Sequence, residues 1–225
     1  TSLEVQHNYP DDRQRRNEKR YKLGDLNLTG GTTINWVFNA QHTDNLSIAF
    51  SDDQEIKEAR RFDDDLFTLE KRALRDLTYR LYVSNALLPN ADSIGYSLSV
   101  IPDLYPEIGV ETFQDSSYNK LMYFVGEASD DYGLTSLNFH YTISDLEGAA
   151  KEPVSVPLAI TKGKALRYDY TFDLRELDLK PGDNVVYYFE VLDNDGVNGR
   201  KSARTNLMSY AVPTEDEIAA QIEEN

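Results

Sequence analysis

Hydrophobic and polar positions alternate along this chain in short runs, which is the period-two pattern of β-strands with one buried face. Within residues 33–38 the pattern places Ile34, Trp36 and Phe38 on the same side. The pattern predicts further strands at residues 46–50, 78–83, 94–101, 122–127, 134–143, 154–160, 167–174, 185–192 and 203–212. Turn residues separate these runs, so the sequence predicts an all-β protein of the antiparallel β-sandwich type.

The order of the runs repeats in the two halves of the chain. Residues 31–50 can be laid over residues 121–141, and each half ends with a strand that stops at a proline. A repeat of about 100 residues has the size of an immunoglobulin-type domain. We therefore predict two tandem immunoglobulin-like sandwiches, residues 1–101 and residues 102–213.

The strand that follows the Pro181-Gly182 turn has the clearest pattern in the second half. Its alternation predicts core positions for one set of side chains: Val185, Tyr187, Phe189 and Val191. Tyr187 resembles a tyrosine corner, in which the hydroxyl bonds to the backbone of the connecting loop. In the first half Trp36 is the predicted core aromatic, since a large ring on an alternating face is normally buried.

Two segments depart from the strand pattern. Residues 52–61 have helix-forming composition, but Ile56 and Ala59 make too narrow an apolar stripe for a docked helix. We predict a long connection there, with room for one helical turn. Residues 214–225 are predicted to begin a helix, because Thr214 and Glu217 have the spacing of a capping box.

The charge of the chain narrows the choice of partners. The net charge of −16 is concentrated in the second half: residues 1–101 carry −3 and residues 102–225 carry −13. Because nucleic acid needs a basic surface, we predict no nucleic-acid partner. The basic run at residues 13–22 is interpreted as a solvated loop, with an anion-binding patch as the alternative. No run reaches the roughly 18 apolar residues of a membrane span.

Residues for catalysis are not arranged in any recognisable motif. The chain has no cysteine, and His7, His42 and His140 lack the spacing of metal ligands. Acids are abundant, as a glycosidase requires, but their positions define no pair across a cleft. We therefore predict that the chain is not an enzyme.

One acidic constellation suggests a cation site. Asp130 and Asp131 lie between two predicted strands, and Asp193 and Asp195 lie between the last two. In an immunoglobulin-type sandwich these loops emerge at the end where the linker containing Asp103 enters. Oxygen ligands gathered from several loops suit Ca²⁺, so these five aspartates are candidate calcium ligands. The alternative is turn chemistry alone, because Asn, Asp and Gly favour tight turns.

Four segments together resemble an uncharacterised family of large cell-envelope proteins of Bacteroidota: residues 24–46, 100–110, 128–134 and 191–199. The resemblance covers most of the chain, and it depends on the order and spacing of the segments. It implies tandem immunoglobulin-like domains within a membrane-anchored protein, in the periplasm or another extracytoplasmic place. We expect the chain to be an internal part of that longer protein. The family has no established activity to transfer.

These observations favour a structural or protein-interaction module that binds a protein partner in the envelope. A carbohydrate-binding accessory module is the first alternative, with Tyr105, Tyr118 and Tyr132 as candidate exposed rings. A domain of an envelope enzyme is the second alternative. It would require a deep pocket that holds two carboxylates with perturbed pKa values.

Overall fold

The computed structural model describes residues 2–8, 16–22, 24–87, 92–114 and 120–223. They form two compact units, Thr1–Asp103 (unit 1) and Leu104–Asn225 (unit 2). Nearly all of their regular structure is β-strand in antiparallel sheets, so the predicted all-β sandwich fold is confirmed. Within these ranges no helix is both long enough and apolar enough to cross a membrane.

The described strands of unit 1 form two five-stranded sheets. The strands are β1 (Ser2–Asn8), β2 (Glu18–Arg20), β3 (Leu26–Thr29), β4 (Thr33–Asn39), β5 (Asn45–Phe50), β6 (Lys57–Glu58), β7 (Arg60–Asp63), β8 (Leu66–Arg72), β9 (Leu77–Ser84) and β10 (Asp92–Ile101). One sheet has the order β2-β1-β4-β8-β7 and the other β3-β10-β9-β5-β6. Only β3 and β10 pair in parallel among these strands.

The core of unit 1 is built around Trp36, whose side chain is fully buried as predicted. Its ring centroid lies 5.8 Å from that of Phe50 and 5.6 Å from that of Tyr79. The Tyr79 hydroxyl donates a 2.6 Å hydrogen bond to the Gly24 carbonyl. Because a buried aromatic side chain contributes a large apolar area, this cluster contributes strongly to the hydrophobic stabilisation of unit 1.

Several elements of unit 1 differ from the sequence prediction. The segment 52–61 is not helical and contains β6 and the start of β7, because β5 and β8 provide ladder partners that override its composition. Residues 18–20, predicted as loop, form β2, where Lys19 Nζ lies 2.8 Å from Glu4 Oε1 on β1. Arg13 to Arg15 lie outside the described residues.

The seven strands of unit 2 form one hydrogen-bonded network that is joined through a long strand, β12. Its strands are β11 (Glu107–Gln114), β12 (Leu121–Ser144), β13 (Val154–Leu158), β14 (Gly163–Asp173), β15 (Asn184–Asp193), β16 (Ser202–Arg204) and β17 (Met208–Ala211). The first part of β12 pairs with β11 and β14, and its second part pairs with β13 and β15. The register shifts between Ser129 and Leu134, and we call this irregular part of β12 the bend. Both β16 and β17 pair with β15, which divides the predicted strand 203–212 into two.

The core of unit 2 contains the four predicted residues of β15, all buried. Phe189 packs against Phe139 and Phe124, with centroid distances of 4.9 and 5.3 Å. The tyrosine-corner prediction is wrong. The Tyr187 hydroxyl donates to Met122 Sδ at 3.2 Å, because the side chain enters the core and does not turn back over the loop.

The helix α1 (Glu215–Glu223) follows the second sandwich. Its predicted capping box is confirmed: the Thr214 N–H donates to Glu217 Oε2 at 2.8 Å, and the Glu217 N–H donates to Thr214 Oγ1 at 3.3 Å. The hydrogen bond from the Thr214 N–H lowers the pKa of Glu217 below its ordinary value. The carboxylate therefore stays charged at the positive end of the helix dipole.

Candidate functional site

Two regions of unit 2 are candidate functional sites. The first is an acidic corner, which we define as Asp130, Asp131, Asp193, Asp195 and Lys201. The second is the outer face of the β11-β12-β14 sheet, on the side away from the core. The corner was predicted from the sequence, whereas the outer face was not.

The acidic corner forms where the bend of β12 meets the loop after β15. The Thr135 hydroxyl donates to the Asp193 carbonyl at 2.7 Å. A Cβ at Gly133 would lie 3.2 Å from Asn194 Nδ2, so the bend and the loop are in contact. The structure therefore places the two segments that carry four of the five predicted aspartates next to each other. Asp103 is the last residue of unit 1 and belongs to the other unit.

Asp193 closes the loop between β15 and β16. Its Oδ1 accepts hydrogen bonds from the N–H groups of Asp195 and Lys201, at 3.0 and 2.8 Å. Its own N–H donates to the Lys201 carbonyl at 3.0 Å. Asp195 Oδ1 accepts from the Val197 and Asn198 N–H groups. Both carboxylates therefore act as turn-forming acceptors, as the turn interpretation predicts.

Lys201 places a positive charge inside this loop. Its Nζ lies 2.8 Å from Asp195 Oδ2 and 3.7 Å from Asp193 Oδ2. The two aspartate side chains are 0% and 1% exposed, and the lysine side chain 16%. The ammonium also lies 5.9 Å from the centroid of the Tyr105 ring, a cation–π distance. Lys201 is a residue of the corner that the sequence analysis missed.

The other half of the corner is a tight turn. Asp130 Oδ2 accepts from the Tyr132 and Gly133 N–H groups at 2.9 and 2.6 Å. Gly133 has φ of +150°, a conformation that favours glycine. Asp130 therefore stabilises the bend that separates the two parts of β12.

Some oxygens of the corner accept no hydrogen bond. Oδ1 of Asp130, Oδ1 of Asp131 and Oδ2 of Asp193 are all buried in this way. Ordered water or a cation commonly satisfies such oxygens in proteins. However, in the described part of the chain no three histidine, aspartate or glutamate side chains are grouped to hold a metal ion. The geometry favours turn chemistry, and calcium binding at the corner is the untested alternative.

The outer face is a regular grid of twelve residues on three strands. The cross-strand rows are Phe113–Tyr123–Thr171, Glu111–Val125–Asp169, Gly109–Glu127–Arg167 and Glu107–Ser129–Ala165. The three large apolar members are well exposed: Phe113 53%, Tyr123 43% and Val125 50%. Four members are acidic and one is basic. The face therefore combines an apolar end with an excess of negative charge.

The last two of these rows, which we call the lower rows, form a shallow trough. Two adjoining depressions of about 620 and 570 Å³ share Gly109, Glu127 and Arg167 as lining residues. A Cβ at Gly109 would meet no atom within 4 Å. Because Gly109, Ser129 and Ala165 are small, a ligand can approach the main chain of the sheet closely here.

The start of β12 contains a sequence signal for this face. Leu121 to Val125 are consecutive apolar residues in a strand with one face toward the core. Such a run places apolar side chains on both faces of the sheet. The strand β11, which supplies Phe113, was not predicted at all. Without its partner strand the cross-strand pairing of Phe113 and Tyr123 could not be foreseen.

The rings predicted for carbohydrate binding have other neighbours. Tyr105 lies beneath Lys201, and Lys164 Nζ lies 5.7 Å from the Tyr132 ring centroid. Tyr118 lies outside the described residues. The structure therefore places a lysine over the two rings that it describes.

One histidine has a carboxylate partner, but the geometry is not that of a catalytic triad. His140 Nε2 lies 3.4 Å from Glu190 Oε2, and its ring stacks on Tyr188 with centroids 4.8 Å apart. The Ser202 hydroxyl donates to Glu190 Oε1 at 3.0 Å. In a triad the histidine stands between the serine and the acid, whereas here Glu190 stands between them. The absence of enzymatic activity stays a prediction.

No known family model matches the chain and no curated protein matches it, so the resemblance to the Bacteroidota family stays a prediction. Solved structures are similar at low identity. A "putative carbohydrate binding protein" from Bacteroides uniformis is 11% identical over 78% of this chain and 91% of that one, with a TM-score of 0.33. Latent PorU from Porphyromonas gingivalis is 16% identical over 86% of this chain and 19% of that one, with a TM-score of 0.30. The fibronectin(III)-like modules of Clostridium thermocellum CbhA are 13% identical over 85% of this chain and 88% of that one, with a TM-score of 0.24. These likenesses carry no argument about function, and the β-sandwich assignment is based on the strands described above.

Proposed function

We propose that this chain is a non-catalytic structural and protein-interaction module of a larger cell-envelope protein. The observation that supports this proposal is the outer face of unit 2, with Phe113, Tyr123 and Val125 each at least 43% exposed. Single exposed apolar residues are common, but a cross-strand cluster of aromatic and branched side chains is typical of a binding surface. The extracytoplasmic location and the membrane anchor of the parent protein are inferred from the family resemblance alone.

The acidic corner fits the same role as a support. The buried hydrogen bonds of its loop hold the junction between β12, β15 and β16 in one conformation. A binding surface on a sheet is more effective when the sheet behind it is rigid, because less conformational entropy is lost on binding. In this proposal the corner stabilises unit 2 and the outer face binds.

The experiment is site-specific photo-crosslinking in cells that make the parent protein. A benzophenone amino acid replaces Tyr123 on the outer face, or Leu146, which is 71% exposed in a loop of the same unit. We expect a discrete polypeptide adduct from position 123 and a much weaker one from position 146. A third probe at Leu207, which is 65% exposed, surveys another part of the unit. If no position yields a polypeptide adduct, the interaction function is wrong.

Carbohydrate binding is the second candidate function, because Phe113 and Tyr123 are half-exposed rings directly opposite each other on neighbouring strands. Aromatic rings of this kind can stack on the apolar faces of sugars. A glycan array probed with the wild-type protein and with Tyr123→Ala tests this directly. Glycans that bind the wild-type protein but not the Tyr123→Ala variant would favour this candidate over protein binding.

A further inference from the structure

We propose that the outer face of the β11-β12-β14 sheet docks a lysine- or arginine-bearing segment of another protein. This inference rests on the proposed interaction function and specifies the chemistry of the partner. It is carried by the placement of charged side chains around the apolar end of the grid.

The second row of the grid sets the charge requirement. Val125 stands between Glu111 on β11 and Asp169 on β14, each in direct cross-strand register with it. Neighbouring strands lie about 4.8 Å apart, so both carboxylates flank the apolar position closely. A side chain that packs on Val125 and carries a cation at its end satisfies both features at once. Lysine and arginine have this composition, since an apolar stem ends in a charged group.

The charge of the whole face points to the same partner. Glu107, Glu111, Glu127 and Asp169 carry four negative charges, against one positive charge on Arg167, and all five side chains are exposed. A second copy of this chain would bring carboxylates against carboxylates and would be repelled. Nucleic acid is excluded on the same ground. A basic polypeptide is attracted at long range, and it then covers the exposed rings.

The trough gives the segment a place for its backbone. Gly109, Ser129 and Ala165 occupy three of the six positions in these two rows, and their small size leaves space between the longer side chains of Glu107, Glu127 and Arg167. An extended segment can lie there with its apolar residues on Phe113 and Tyr123 and its basic residues against the flanking acids. Such a complex would have an aromatic centre and a charged rim, as protein–protein interfaces commonly do.

The test uses two synthetic probes and NMR of the isotope-labelled chain. One probe is an eight-residue peptide of alternating lysine and leucine, and the other has glutamate in place of each lysine. We expect shift changes from the lysine peptide on β11, β12 and β14, none from the glutamate peptide, and weaker binding at high salt. The double variant Glu111→Gln/Asp169→Asn should bind the lysine peptide about fivefold more weakly.

A matched control separates a docking face from general acidity. Glu152→Gln/Asp178→Asn removes the same charge from exposed positions outside the grid and should leave the affinity unchanged. Equal weakening by both double variants would overturn the proposal, and so would shift changes that map elsewhere. Glycan binding at the grid without peptide binding would replace it with the carbohydrate function. A polypeptide adduct from Leu207 but not from Tyr123 in the crosslinking experiment would sink this inference while leaving the interaction function intact.

Discussion

Lys201 Nζ lies 2.8 Å from Asp195 Oδ2, whose side chain is fully buried. The main chain of the same lysine also pairs with Asp193, through hydrogen bonds of 2.8 and 3.0 Å. One residue thus closes the loop between β15 and β16 and partly neutralises its two buried carboxylates. The ion pair and the turn support each other because they share the same three residues. Loss of either one should therefore weaken the other.

Replacement of Lys201 by methionine should destabilise unit 2 by roughly 3–5 kcal/mol, because it leaves a buried carboxylate without its cation. Urea unfolding followed by far-UV circular dichroism measures the change. Lys162→Met is the matched control, since Lys162 is exposed in a loop before β14. The double variant Lys201→Met/Asp195→Asn should recover part of the loss, because it removes the unpaired charge. Equal stability of the two single variants would show that the buried pair contributes nothing.

Calcium should leave the melting temperature of the wild-type chain unchanged, because the Lys201 ammonium already lies between the carboxylates of Asp193 and Asp195. Thermal melts in EDTA and in millimolar Ca²⁺ make the comparison. A ligand that binds only the native state raises stability by RT ln(1 + [L]/Kd), so a real site would give a visible shift. A rise in melting temperature that disappears in Asp131→Asn would instead establish the calcium site predicted from the sequence.

The sequence was sufficient to predict the all-β sandwich class because strand periodicity and buried aromatics are local signals. Trp36 and Phe189 could be assigned to the core from alternation alone, and both are fully buried. The segment 52–61 differs from the predicted connection because its strands depend on distant partners, which composition does not report. Tyr187 failed as a tyrosine corner for a similar reason. The direction of its hydroxyl is decided by Met122, 65 residues earlier in the chain.

The candidate site was predictable only where neighbours in sequence make it. Asp130 and Asp193 could be placed in turns because their carboxylate oxygens accept hydrogen bonds from N–H groups two or three residues later in the chain. The outer face depends on cross-strand register, which joins Phe113 to Tyr123 and Asp169 to Val125. Register follows from the packing of the whole sandwich, so no local pattern indicates which exposed residues become neighbours.

The stability of unit 1 should depend on pH through the carboxyl group of Asp52. Burial alone would raise the pKa of Asp52, but Lys71 at 2.9 Å and Arg75 at 3.5 Å lower it below its ordinary value. A carboxyl whose folded-state pKa is depressed stabilises the native state above its unfolded pKa. This contribution is lost as the pH falls below about 4.

Asp52→Asn should therefore cost about 1 kcal/mol at pH 7 and much less at pH 3. Trp36 is the only tryptophan of the chain and lies in unit 1, so its fluorescence during urea unfolding reports on this unit. Asp53→Asn is an adjacent control with a more exposed ion pair to Lys57. A stability difference between wild type and Asp52→Asn that is the same at both pH values would contradict the assignment.

Gly126→Ala should destabilise unit 2 by roughly 1–3 kcal/mol, because a Cβ at this position would overlap the Tyr168 ring and the Gly109 carbonyl. The glycine allows the Tyr168 side chain to pass under β12, where its hydroxyl donates to the Gly109 carbonyl at 3.0 Å. Gly109→Ala is the matched control, since a Cβ there meets nothing within 4 Å and the backbone does not have a positive φ. Urea unfolding followed by far-UV circular dichroism compares the two variants. The same contact ties β14 to β11 beneath the outer face, so Gly126→Ala should also weaken binding of the lysine peptide. Unchanged stability in Gly126→Ala would mean that Tyr168 can move aside at no cost, and the face would then not depend on this contact.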